Sequence, residues 1–310
     1  MDKAKLWVIS LLLWTSLSLP SSLSSAALPL AAQTVPVPAA MQTPPDSNSI
    51  VQAPSFMEAV QQWMKQLSAE PGYSAWKQAT WSGYSLGPGT HGWIVLIQSD
   101  GRDAGYMVIH AADPANPNKY QLTEYGSGGK PLFSLQTLYR SLVQLELIHS
   151  SYTVQPWYVN PLYALWIVES GGTYYYLDAI TGESLPIDQI DLLQKNTDPA
   201  NTADTSLLSE HTIKQRQAIP SFDPYEKLPW IQVVSASFTS FTELQGELQQ
   251  QRRLTYTTEL YQTKIRMVAA VIGFHQWSND EAFLLLEQDG HRAIPYSFLS
   301  QSGNLFRSSP

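Results

Sequence analysis

The chain has 310 residues, 44% of them apolar and 11% aromatic. That is enough to fill the cores of about two domains and too apolar for global disorder. It carries 18 basic against 26 acidic side chains, a formal charge of -8, and so lacks the basic footprint of a nucleic-acid binder. Zero cysteines exclude disulfides, thiolate zinc sites, iron–sulfur clusters and cysteine nucleophiles.

The first segment reads as an export signal: Lys3 and Lys5 precede an uncharged apolar run over residues 6–19, then small residues up to Ala26 and Ala27. Cleavage is expected after Ala26 or Ala27, giving a signal peptide of residues 1–27. The run holds Ser10, Thr15, Ser16 and Ser18 and falls short of the ~20 apolar residues that span a bilayer. Residues 28–54, rich in Pro, Ala and Gln, read as an extended tether.

A first α+β domain is expected over residues 55–187, an antiparallel sheet with packed helices. Ser55 and Glu58 form an S-x-x-E box ahead of a helical stripe of Phe56, Val60, Trp63, Met64 and Leu67. Strands follow at 93–97 and 106–109, joined through Asp100-Gly101, and at 120–125. The first two are apolar at successive positions, so both faces of that sheet should be covered. Leu135, Leu138, Leu142 and Leu145 behind Ser134 supply one covering helix. A second hairpin, 162–169 with 173–178 through Gly171-Gly172, completes the domain.

Residues 188–221 read as a polar linker with a short helix around 207–217. From 222 to 310 a small β-rich α+β unit is expected, a curled sheet or barrel with one helix. Its elements are a strand near 231–235, a helix capped by Ser240 and Glu243, and strands at 254–261, 265–274, 282–287 and 292–296, with Asp289-Gly290 as a primed turn.

Gly83-Tyr84-Ser85-Leu86-Gly87 matches the G-x-S-x-G elbow that lifts a nucleophilic serine between a strand and a helix. Here Pro88-Gly89 and a strand follow instead, so Ser85 is a weak catalytic candidate and a Gly-rich loop the stronger reading. Asp178 and His275 could be nominated as its partners. The six histidines, 91, 110, 149, 211, 275 and 291, show no metal-binding spacing, and no metal or cofactor is expected. Glu124, Glu169, Asp178 and Glu287 could supply a glycosidase pair only if the fold sets two of them ~5–10 Å apart. Aromatic clusters at Trp157-Tyr158 and Tyr174-Tyr175-Tyr176 could form a binding surface through Trp157, Tyr158, Tyr174 and Tyr176. Strand alternation puts Tyr175 opposite Tyr174 and Tyr176, so one set should be core.

Residues 174–183, Tyr-Tyr-Tyr-Leu-Asp-Ala-Ile-Thr-Gly-Glu, look like the closing strand and turn of a PepSY-type domain. Residues 105–113, Gly-Tyr-Met-Val-Ile-His-Ala-Ala-Asp, with the strand up to Gly126, are similar to the propeptide of streptopain-like secreted proteases. The resemblance covers at most residues 55–187, and the peptidase unit that follows such propeptides is missing. It implies a non-catalytic exported protein of the cell envelope or secretome, with a protein partner for which a secreted protease is the most specific candidate. A secreted serine hydrolase using Ser85 and a cell-wall glycan binder are the alternatives. No nucleic-acid partner is expected, and no membrane span after signal cleavage.

Overall fold

The computed structural model describes residues 51–87, 91–113, 116, 118–187 and 206–307. The expected signal peptide, nearly all of the tether and residues 188–205 of the linker lie outside these.

Helix α1 (Pro54–Leu67) buries Phe56, Val60, Trp63, Met64 and Leu67, the expected stripe. It begins one residue early, because Pro54 at the start of the helix has its φ already set near the helical value. Ser55 therefore sits inside the first turn and donates to Asn118 Oδ1 instead of capping. A 3-10 turn (Ser74–Gln78) leads into β1 (Thr80–Ser85), β2 (Gly92–Ser99), β3 (Arg102–Ala111) and β4 (Tyr120–Ser127), an antiparallel meander. Asp100 and Gly101 both take positive φ, as a primed two-residue hairpin needs. Helix α2 (Leu135–Gln144) is capped by Ser134, whose Oγ accepts from Thr137 N. Strands β5 (Tyr152–Asn160), β6 (Tyr163–Ser170) and β7 (Thr173–Asp178) form a separate three-stranded antiparallel sheet.

The second half adds β8 (Ile213–Ala218), a one-turn helix α3 (Pro229–Gln232) and α4 (Phe241–Gln249). Strands β9 (Leu254–Leu260), β10 (Ile265–Trp277), β11 (Ala282–Glu287) and β12 (His291–Pro295) follow, then α5 (Tyr296–Ser302) and β13 (Asn304–Arg307). Two expectations are corrected here. The helix around 207–217 is the strand β8, and the strand near 231–235 is replaced by α3 and an extended, exposed stretch, because Pro229 opens a helical turn. The Ser240 cap forms, with Glu243 reaching back to Thr239 N and Oγ1 at 2.9 and 2.8 Å; those bonds hold its carboxyl below the ordinary value.

The α+β class holds, and the arrangement of the sheet is the main departure from expectation. One ten-stranded sheet runs β1-β2-β3-β4-β12-β11-β10-β9-β13, with β8 on β10 as a side branch. It is open, ending at β1 and β13, so the second half is not a closed barrel. Strand β12 pairs with β4, Ala293 against Tyr125, which joins the segments 55–187 and 222–307 into one sheet. One face is covered by α1 and the 3-10 turn, burying Trp93, Met107, Tyr125, Trp277 and Phe283. The three-stranded sheet covers part of the other face: Trp166 and Val168 pack with α2 and β2–β3, and Leu165 and Ile167 pack toward β9–β11. The doubly buried run of β2 has its cause here.

Strand β10 changes partners along one edge, pairing with β9 through Val271 and with β8 from Gly273 onward. Gly273 has φ +148, a region almost closed to other residues, and a Cβ there would overlap the Gln217 carbonyl oxygen of β8. Gly273→Ala should cost about 1–3 kcal/mol of stability. Hydrogen exchange read peptide by peptide checks the cause: protection should fall over residues 213–218 first, and a uniform loss would place the strain elsewhere.

Candidate functional site

A cleft of about 540 Å³ opens between the end of the small sheet and the curled part of the large one. This is within the ~300–1,000 Å³ usual for ligand clefts. The turn after β7 makes one wall. Asp178 Oδ1 accepts from Ile180 N, Thr181 N and Thr181 Oγ1 at 2.9, 2.7 and 3.1 Å, an Asx turn that Gly182 completes at φ +74. The β9–β10 turn and the β11–β12 turn make the opposite wall, with Pro224 and Tyr225 at its outer edge.

At the base of the cleft lies a buried, hydrogen-bonded polar group. Glu124 on β4 is 0% exposed and Arg292 on β12 is 5% exposed. Glu124 Oε1 accepts from Arg292 Nε at 2.6 Å and from the Tyr106 hydroxyl at 2.5 Å, and Oε2 accepts from the Tyr158 hydroxyl at 2.9 Å. Arg292 Nη1 donates to Gln288 Oε1 at 3.0 Å and Nη2 to the Pro161 carbonyl. Burial opposes the charge on Arg292, but Glu124 and the two tyrosines outweigh it and raise its pKa. Burial first, and Glu124 second, push both phenols well above their ordinary value. Each of the three guanidinium nitrogens makes one hydrogen bond within the protein, and the charge is balanced by Glu124.

What the cleft offers is an apolar floor, Leu162, Ile180, Leu260 and Met267 among it, under a mainly acidic rim. Asp178, Glu183, Glu287 and Asp289 face it against the single exposed cation Arg266. Glu287 accepts from Ser221 Oγ, Asp289 pairs with Lys130 at 3.0 Å and Arg266 with Glu259 at 2.6 Å. These pairs are surface-exposed and worth little each, so they can be exchanged for a ligand's charges.

The expected aromatic surface does not assemble. Tyr158 is buried against Glu124 and Tyr176 is buried in the core, while Trp157 is half-buried and points to the face opposite Tyr158. Only Tyr174, 57% exposed, is open to solvent. Strand alternation separates the neighbours, and the large sheet covers both faces of the small one. Ser85 ends β1, opposite Trp93, and its Oγ accepts from Gly87 N at 3.4 Å; the chain passes from β1 to β2, so no strand-to-helix elbow forms. His275 lies in the core against Tyr125. Of the four carboxylates, Asp178 and Glu287 share the cleft, Glu124 is sealed, and Glu169 accepts from Gly172 N in its own hairpin. Among the described residues, no three His, Asp or Glu side chains are placed to hold a metal ion, and no helix is long and apolar enough to cross a membrane.

Sequence reasoning missed Arg292, and it named Glu124 only as one of four carboxylates for a glycosidase pair. The signal was present: an arginine between His291 and Ala293 in an apolar strand, and Glu124 in another, both at positions where a strand inside a covered sheet has no water. No protein-family model matches the chain, and no curated protein matches it.

Proposed function

We propose that the chain is an exported binding protein, without turnover of its own, that holds an extended, basic and apolar segment of a partner protein in the cleft between its two sheets. The observation that carries this reading is the cleft itself: an apolar floor whose buried cation is paired with Glu124, under a rim of four carboxylates against Arg266 and Lys130. Such a site favours a partner that brings positive charge and apolar side chains. Tyr225 at the outer edge of the cleft is exposed, and so are Leu228, Ile231, Val233 and Val234 further along the chain. The Lys3 to Ala27 pattern supports export, and the PepSY-like and propeptide-like segments support a secreted protease as the partner.

The test is capture by the immobilised chain, residues 28–310, from the secreted and envelope fractions of the producing cells, with the affinity for a captured protease then measured. Glu183→Lys combined with Met267→Asp should weaken that affinity at least tenfold, about 1.4 kcal/mol. An affinity indifferent to both changes would move the site away from the cleft. Labelling by a serine-reactive probe that Ser85→Ala abolishes would overturn the non-catalytic reading.

A further inference from the structure

The large sheet ends at β1 and β13 and carries β8 as a side branch, while β5 and β7 are the outer strands of the small sheet. An edge strand presents a row of unpaired amides and carbonyls, and folds blunt such rows with charge, proline, a bulge or a covering segment. Four of these five strands carry such a device. Strand β13 is short, ends on Arg307 and is bonded from outside, where Ala236 N donates to the Leu305 carbonyl at 2.7 Å. Strand β8 holds Lys214 and Arg216, both exposed. Strand β5 contains Pro156 and an irregular register after Tyr158. The end of β7 is covered by Leu185, whose N donates to the Tyr176 carbonyl at 2.7 Å. Strand β1 carries none: its sequence Thr-Trp-Ser-Gly-Tyr-Ser has no charge and no proline, its register with β2 is unbroken, and none of its residues is buried.

One bond fixes which groups of β1 point outward. Leu86 N donates to the Gly92 carbonyl at 3.0 Å, in the register that pairs Ser85 with Trp93. Bonded and unbonded pairs alternate along an antiparallel ladder, so Thr80, Ser82 and Tyr84 turn their amides and carbonyls to β2. Those of Trp81, Gly83 and Ser85 point away from the sheet, and among the described residues nothing bonds to them. The side chains sort by face as well. Trp81 packs against Phe56 of α1, with ring centroids 6.2 Å apart, and Tyr84 packs on the opposite face.

We propose that β1 pairs antiparallel with β1 of a second copy, about a two-fold axis through Gly83, so that the sheet continues from one chain into the next. An axis normal to the sheet keeps every side chain on its own face, and centring it on Gly83 uses all the outward groups. Trp81 pairs with Ser85 of the second copy, Gly83 with Gly83 and Ser85 with Trp81, and each pair exchanges two hydrogen bonds. Trp81 then lies beside a serine on the α1 face, and Tyr84 lies opposite Ser82 of the second copy on the other, a large side chain against a small one both times. Gly83 meets itself on the axis without a side chain to clash. Charge favours the same contact: each chain carries a formal -8, and two copies repel least where neither presents a charge. An unrelated strand would find the same backbone groups without this match of large to small. The edge shares no residue with the cleft, so either reading can fail without the other.

In sedimentation equilibrium the chain of residues 28–310 should rise from the mass of one chain toward that of two between about 1 µM and about 1 mM. Ser82→Lys and Ser82→Glu each set two like charges near the axis on one face, and each should weaken association at least tenfold while leaving a folded monomer by circular dichroism. An equimolar mixture of the two variants brings opposite charges together and should restore the dimer, which a misfolded variant would not do. Amide exchange in the unmodified chain gives an independent readout. Protection at Trp81, Gly83 and Ser85 should rise with concentration, while Ser82 and Tyr84 are protected throughout. The proposal is overturned if the chain stays a monomer over this range, if the folded Ser82→Lys variant dimerises as well, or if mixing restores nothing. Protection of the Gly83 amide already in the monomer would give the edge to another segment of the same chain, and free exchange in the dimer would put the contact elsewhere; either result also overturns it.

Discussion

Arg292→Met should lower the stability of the fold by about 3–5 kcal/mol, the usual result of breaking a sealed ion pair from one side. The substitution leaves the Glu124 carboxylate, 0% exposed, with two phenols and no countercharge. It also removes the donor to the Pro161 carbonyl, and with it the bond that ties β12 to the small sheet. The loss comes from the stranded charge and not from a large net attraction, because desolvation of both ions offsets most of their Coulomb energy. Adding Glu124→Gln should therefore recover at least half of it: the neutral amide accepts from one of the two phenols through its oxygen and donates to the other through its NH2, and no buried charge remains. Urea denaturation of the two variants decides the point. A single-variant loss under about 1 kcal/mol would mean that water reaches the pair. The same pair also sets register. A one-residue slip of β12 against β4 would turn Arg292 onto the α1 face and His291 onto Glu124, so mispairing costs the ion pair as well as the core pattern.

Why the strands were legible and their assembly was not follows from where the signals reside. Strands β2, β3, β6 and β9–β12 declare themselves through apolar runs bounded by Asp100-Gly101, Gly171-Gly172 and Asp289-Gly290, all of which take positive φ. The caps at Ser134 and Ser240 are equally local. Strand β8 has no such signal. Lys214, Gln215 and Arg216 are exposed, and the segment is extended only because β10, bent at Gly273, offers an open edge. The opposite error at residues 231–235 has the same root: Ile231, Val233 and Val234 read as a strand by composition, yet Ile231 is 69% and Val234 90% exposed, with nothing to pair against. The join of β4 to β12 brings together Glu124 and Arg292, 168 positions apart, and no local pattern reports a contact at that distance. The candidate site depends on that join. Tyr158 reads as a surface aromatic until the carboxylate 34 positions earlier is placed beside it.

Acidification should destabilise the protein steeply between pH 6.5 and about 4, through two histidines that the fold keeps neutral. Burial, assisted by the charges of His291 and Arg216, lowers the pKa of His275 to about 3, and burial lowers that of His110 to about 4. In the unfolded chain both titrate near 6.5. Below that value the unfolded state takes up protons that the native state refuses, so stability is complete above about pH 7 and falls as the pH drops toward the native pKa values. Two such groups give a slope of about 2.7 kcal/mol per pH unit and a loss on the order of 5 kcal/mol by pH 4.5. That is a large share of the ~5–15 kcal/mol typical of a whole domain. Unfolding midpoints in urea at half-unit pH steps measure the slope. His275→Phe and His110→Asn should each flatten it by about 1.4 kcal/mol per pH unit, which separates the histidines from the carboxylates titrating nearby. A wild-type curve that stays flat to pH 4.5 would mean that the rings are protonated in the fold. For His275 the nearest countercharge is then Glu70, whose Oε2 would have to close the 3.9 Å gap to Nε2.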